Sequence, residues 1–239
     1  MFMTLASPTT EETDPFCLPP LEAAALLFDA PWQRFAVIGD SLSAGTGDPT
    51  PGYATLGWPD RVADVLRRVR PDLAYLNTAM VGATTMETLR HQADRMREFA
   101  PDLLHLPSGA NDIVRRTPDF DEIEQILRDM YRLAAGTGAR LTTFTLGKAY
   151  VVPVFPDFRD RVRRLNDIIR TLAAEFDATV IDMWSHPLND RPNLLSADGI
   201  HFTTAGQAVL ACEVVRQLAH LLDTPVPRAV PDGPRRITY

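Results

Sequence analysis

Five short apolar runs, each closed by a cluster of Gly, Ser, Thr or Asn, alternate with stretches of helical periodicity, and few folds satisfy that alternation. The runs are Arg34–Ile38, Asp72–Leu76, Asp102–Leu106, Arg140–Leu146 and Thr179–Asp182, each short enough to be a strand buried on both faces. The clearest helix between them is Arg161–Phe176. There Val162, Leu165, Ile168, Ile169, Leu172 and Phe176 recur three and four residues apart, with arginines on the other face. A second such pattern, over Thr203–Leu222, carries Ala208, Cys212, Val215, Ala219 and Leu222. Strands alternating with helices predict an α/β sandwich of three layers, with a parallel sheet of five strands covered on both faces. Ligands of such sheets bind beyond the carboxyl ends of the strands.

Length and charge narrow the rest. A chain of 239 residues suits one α/β domain and is short for two. The expected layout is an N-terminal arm with a short helix over 1–33, the α/β domain over 34–223 and an extended tail over 224–239. The short helix is the apolar segment Leu21–Phe28, and the tail carries four prolines. A net charge of −7 disfavours nucleic acid, because phosphate contacts need a basic face. The opening residues lack the basic region and long apolar run of a secretory signal, and no apolar stretch approaches membrane-spanning length. The expected location is therefore the cytoplasm. The two cysteines, Cys17 and Cys212, form no C-x-x-C pair; a bridge between them is open, and two reduced thiols are the preferred reading.

Four polar clusters each follow a strand or precede the last helix. The first, Ile38-Gly-Asp-Ser41-Leu-Ser-Ala-Gly45, puts a serine between glycines that permit a tight turn and so exposes its hydroxyl. A dinucleotide loop fails here: no third glycine arrives in register, and Pro49 and Pro51 interrupt the helix that would receive the pyrophosphate. The second, Asn77–Thr84, reads alone as a strand-to-helix connection with Thr84 or Thr85 as N-cap. Its other reading makes the Gly82 N–H a donor to a developing oxyanion, a job that favours a residue with no side chain in the way. In the third, Ser108–Asp112, the Asn111 amide could donate to the same oxyanion without bringing a charge, and Asp112 reads as a cap or loop anchor. In the fourth, Ser196–Phe202, Asp198 stands three residues before His201, so its carboxylate can meet one ring nitrogen and leave the other free. By itself, an isolated Asp-x-x-His reads better as a surface turn.

Taken together, the clusters resemble the SGNH, or GDSL-type, hydrolase family. Its four blocks stand in order as Gly39–Leu42, Gly82, Gly109–Asp112 and Asp198–His201, over about Phe35 to Leu210. The Gly57–Asp60 and Asp198–Gly206 stretches also look like compact bacterial members of that family. The resemblance implies a flavodoxin-like sheet, Ser41 as nucleophile, His201 as base and Asp198 as supporting acid. It also implies an oxyanion hole from the Ser41 and Gly82 N–H groups and the Asn111 side chain. Two positions depart from the family pattern. Phe202 stands where many members have proline, and Leu106-Pro107-Ser108 precedes the third block where an apolar strand end is commoner.

The expected activity is hydrolysis of a small-molecule carboxylic ester, of short to medium acyl chain, through an acyl-enzyme and with no cofactor or metal. An acyltransferase or deacetylase would use the same residues. A silent binding module is disfavoured by the full catalytic set, and a nucleotide-binding domain leaves Asp198 and His201 unexplained. Of the other histidines, His91 and His220 read as surface residues, His105 as a satisfied core residue, and His186 as a loop residue. The Gly147–Phe158 stretch brings Tyr150, Val151, Val152, Val154, Phe155 and Phe158 near the strand ends, about half of them packed beneath the loop.

Overall fold

The computed structural model describes residues 9–192 and 194–223. The proline-bearing tail expected over 224–239 lies outside the described residues, as do the first eight positions of the arm. A short helix, α1 (Pro20–Leu26), leads into strand β1 (Arg34–Val37), and after it strands and helices alternate. The one-turn helix α2 (Ser41–Ala44) and helix α3 (Trp58–Val69) separate β1 from β2 (Ala74–Asn77); α4 (Thr85–Phe99) leads to β3 (Leu103–His105). Then come α5 (Phe120–Ala135), β4 (Arg140–Phe144), α6 (Phe158–Glu175), β5 (Thr179–Ile181) and α7 (Thr204–Asp223). All four strand pairings are parallel, in the order β2-β1-β3-β4-β5. That is the flavodoxin-like order, whose switch point lies where β1 and β3 diverge to opposite sides.

The helices bury the stripes that their periodicity marks. In α6, Val162, Leu165, Ile169 and Leu172 are buried, each worth about 1.5–3 kcal/mol on removal from water. Helices α1, α3 and α7 pack on one another, while α4, α5 and α6 pack as a second group. Between them lie Phe35, Trp58, Leu66, Met96, Leu104 and Tyr131, essentially sealed from solvent. Arg161 departs from the arginine face expected of α6: it is buried, paired with Asp157, and donates to the Ile113 and Arg115 carbonyl oxygens. It thereby ties the start of α6 to the loop after β3.

The N-terminal arm is strapped across the loops that follow β1 and β5. The Asp14 carboxylate accepts from both guanidinium nitrogens of Arg191, from the Tyr53 hydroxyl at 2.8 Å and from the Phe16 N–H at 3.0 Å. Desolvation works against the charge of Asp14, but these bonds outweigh it and hold the carboxyl below its ordinary range. Glu11 pairs with Arg61, and its N–H donates to the Gly52 carbonyl.

Candidate active site

Strand β1 runs out at Ile38, and the chain reverses at Gly39 with φ +141°. A Cβ there would fall 2.3 Å from Ser43 Oγ and 2.9 Å from Pro107 Cβ, so both conformation and space demand glycine. Gln92, buried on α4, clamps this residue from behind. Its Oε1 accepts the Gly39 N–H at 2.8 Å and its Nε2 donates to the Gly39 carbonyl at 2.8 Å. Asp40 then caps α2, its Oδ1 accepting from the N–H groups of Leu42 (2.9 Å) and Ser43 (3.4 Å). Desolvation pushes the Asp40 carboxyl up to about 6; the cap bonds oppose the shift and nearby Asp112 adds to it. Ser41 is the first residue of α2.

The turn before α7 meets Ser41 from the other side of the sheet's end. His201 Nε2 lies 2.7 Å from Ser41 Oγ, and Nδ1 lies 2.6 Å from Asp198 Oδ2. The other carboxylate oxygen, Oδ1, accepts the N–H groups of Ile200 (2.8 Å) and His201 (3.0 Å). Burial works against the Asp198 charge, yet the His201 and backbone bonds win and hold its pKa at about 2. An ionised carboxylate keeps the ring proton on Nδ1 and leaves Nε2 to accept the Ser41 hydroxyl proton.

Asp48, which carries no signal in the sequence, grips this turn at three points. Its N–H donates to Ser196 Oγ (2.8 Å), its Oδ2 accepts the Ala197 N–H (2.8 Å), and its carbonyl accepts the Thr204 N–H (2.8 Å). The adjoining Gly47 has no room for a side chain, since a Cβ would sit 1.8 Å from the Phe202 carbonyl oxygen.

The other two clusters converge on the same region. Met80 N–H donates to the Gly39 carbonyl, and Asn111 Nδ2 donates to the Ala83 carbonyl at 3.0 Å, so the Gly82 loop is tied both to the Gly39–Ser41 turn and to Asn111. That bond uses one of the two Asn111 amide hydrogens. Gly82 takes a left-handed φ of +80°, which itself calls for glycine, and no protein atom stands within 4 Å of where its Cβ would be. Thr84 caps α4 in a reciprocal capping box with Glu87. Asp112 is a loop anchor: its two oxygens accept the Thr85 N–H and hydroxyl, both at 2.9 Å. Desolvation pushes its carboxyl upward against those bonds.

Beside Ser41 lies a cavity of about 80 Å³, lined by Ser41 and Asn111 and otherwise almost wholly by apolar side chains. Tyr150, Val151 and Val152 of the loop after β4 line it, with Phe158 at the start of α6 and with Val114 and Ile200; Val154 and Phe155 do not. Phe202 is buried and stacks on Tyr150 at 5.5 Å, so the residue found in place of proline props the cavity wall.

The remaining histidines lie off the site. His91 and His220 are exposed, and His186 caps the 3-10 turn Pro187–Asp190 through Nδ1. His105 is a core residue but only half satisfied: Nδ1 meets Thr142 Oγ1 at 3.0 Å, while Nε2 has no partner among the described residues; the ring packs edge-on with Trp58. Gln92 belongs to none of the four clusters; its one trace in the sequence is the spacing of Thr85, Thr88 and Gln92, which form a buried polar stripe on α4.

Comparison with known proteins identifies the family and the fold. The sequence model of the GDSL-like lipase/acylhydrolase family matches residues 37–209. The chain is 26% identical over 187 residues to an arylesterase of Vibrio mimicus, covering 78% of this chain and 88% of that one. Among solved structures, it is similar to a psychrotrophic esterase from Pseudoalteromonas sp. inhibited by monoethylphosphonate (TM-score 0.64, 18% identity, 80% of this chain and 100% of that one). It is also similar to an acetylxylan esterase from Geobacillus stearothermophilus (TM-score 0.63, 20% identity, 78% and 94%).

Proposed function

Because the chain belongs to the GDSL-like lipase/acylhydrolase family of carboxylic ester hydrolases, we propose that it cleaves esters of short to medium acyl chains with Ser41, His201 and Asp198. The catalytic unit is assigned to residues 34–223. His201 Nε2 takes the Ser41 hydroxyl proton as the oxygen attacks the acyl carbon. Asp198 stabilises the imidazolium without accepting a proton. The oxyanion is held by the N–H groups of Ser41 and Gly82 and by the second amide hydrogen of Asn111; one such donor is typically worth ~10²–10³ in rate. The imidazolium then gives its proton to the departing alcohol. Water, deprotonated by the same nitrogen, resolves the acyl-enzyme and frees the acid.

The observation that carries the acyl preference is the apolar cavity beside Ser41. Apolar walls favour carbon chains over sugar hydroxyls, and each methylene leaving water contributes about 0.8 kcal/mol, roughly fourfold in kcat/KM. Measured on p-nitrophenyl acetate, butyrate, hexanoate and octanoate, kcat/KM is expected to rise from acetate and level off once the cavity is filled. A flat alkyl series beside rapid deacetylation of acetylated xylan would contradict this reading.

A further inference from the structure

The arm and α7 meet at the chain's two cysteines. Residues Phe16–Leu18 lie on α7: the Leu18 N–H donates to Cys212 Sγ at 3.1 Å, and Arg216 donates to the Phe16 carbonyl at 3.0 Å. Cys17, the residue between these two contacts, is thereby held beside Cys212, and the interaction of the two thiols favours the Cys212 thiolate over that of Cys17. Both are free thiols, 195 positions apart in sequence. Cys212, partly exposed, also lines a surface cavity of about 160 Å³ with Leu18, Arg61, Arg68 and Ala208, the side from which a small reagent would approach it.

We propose that Cys17 and Cys212 are a dithiol site that closes to an intramolecular disulfide by exchange with a low-molecular-weight disulfide, pinning the arm to α7. The Cys212 thiolate, approached from the cavity, attacks one sulfur of the reagent. An S–S bond forms there and one small thiolate leaves. The Cys17 sulfur, having lost its proton, then attacks Cys212 Sγ, forming the internal bond and expelling the second small thiolate. The balance is two protein thiols and one small disulfide in, one protein disulfide and two small thiols out. The order follows from geometry, since Cys212 lines the cavity, and from charge. The Cys17 thiol, the Leu18 N–H and Arg216 favour the Cys212 thiolate, while Cys212 and burial disfavour that of Cys17.

The test treats the whole chain with oxidised glutathione and reads intact mass and peptide maps. The expected product is two hydrogens lighter than the reduced protein, yields one linked peptide holding Cys17 and Cys212, and reverts with dithiothreitol. Closing so long a loop is expected to raise Tm by roughly 5–15 °C. In Cys17→Ser, the mixed disulfide with glutathione is expected to persist on Cys212. The proposal is overturned if both thiols of the wild type remain open to alkylation, if stable glutathione adducts replace the internal bond, or if the link joins two molecules. An adduct-free Cys17→Ser would overturn the proposed order of attack.

Discussion

At Gly39 one side chain does the work of a backbone partner. Gln92 satisfies both the N–H and the carbonyl of the residue that turns β1 toward Ser41. Gln92→Leu keeps the helix but leaves the buried Gly39 N–H unpaired, the Gly39 carbonyl keeping its bond from the Met80 N–H, which is expected to cost about 1–3 kcal/mol in urea unfolding and to lower kcat with it. Unchanged stability would show that Gly39 holds its turn without the clamp. His105 makes a prediction about acid. Burial holds its pKa at about 3 against an ordinary 6.5, so the unfolded chain binds a proton that the folded one does not. Its share of stability is complete above pH 6.5 and drains away as pH falls toward 3. Over that window His105→Phe is expected to show a gentler loss of stability with falling pH than wild type, by up to ~1.4 kcal/mol per pH unit, one proton's worth. Parallel curves would rule His105 out as the acid-sensitive group. Ser41, Asp198 and His201 could be read in the sequence because each sits in a short block. Gln92 and Asp48 could not, since their partners lie 53 and 149 residues away.

Among the elements, the loop after β1 and the turn before α7 behave as one unit. Asp48 fixes Ser196, Ala197 and Thr204 around the segment that carries Asp198 and His201. Asp48→Ala removes only the carboxylate bond to Ala197, at an exposed position, so Tm is expected to stay close to wild type. The aim of His201 at Ser41 is expected to loosen, lowering kcat roughly tenfold with little change in KM, since ångström-scale misplacement costs up to ~10²-fold. An unchanged kcat would show that the turn holds itself. Element identity was legible where periodicity is strong: the last helix, expected over Thr203–Leu222, spans Thr204–Asp223. Ends were less legible, because turn contacts decide them. The strand expected over Asp72–Leu76 is Ala74–Asn77, and α6 starts at Phe158, before Arg161, where Asp157 and the loop after β3 hold its first turn.

Over the whole molecule, the parallel sheet sets the site. Its order places the loops after β1, β2 and β3 side by side, so Ser41, the Gly82 loop and Asn111 gather beyond the carboxyl ends of the strands while the turn before α7 brings in His201. That arrangement was legible from the strand alternation together with the four blocks. The arm's strap was not, since Asp14 and Arg191 carry no local pattern. Among the described residues no helix is long and apolar enough to cross a membrane. The central claim is that Ser41 is the nucleophile, and covalent labelling tests it most directly. A fluorophosphonate probe, located by peptide mass spectrometry, is expected to modify wild type at Ser41 alone, with loss of p-nitrophenyl ester hydrolysis in step with labelling. Ser41→Ala is expected to keep the wild-type Tm, take no label and lose activity by at least ~10³-fold. A label on any other serine, or a Ser41→Ala protein that still turns over ester near the wild-type rate, would contradict the account.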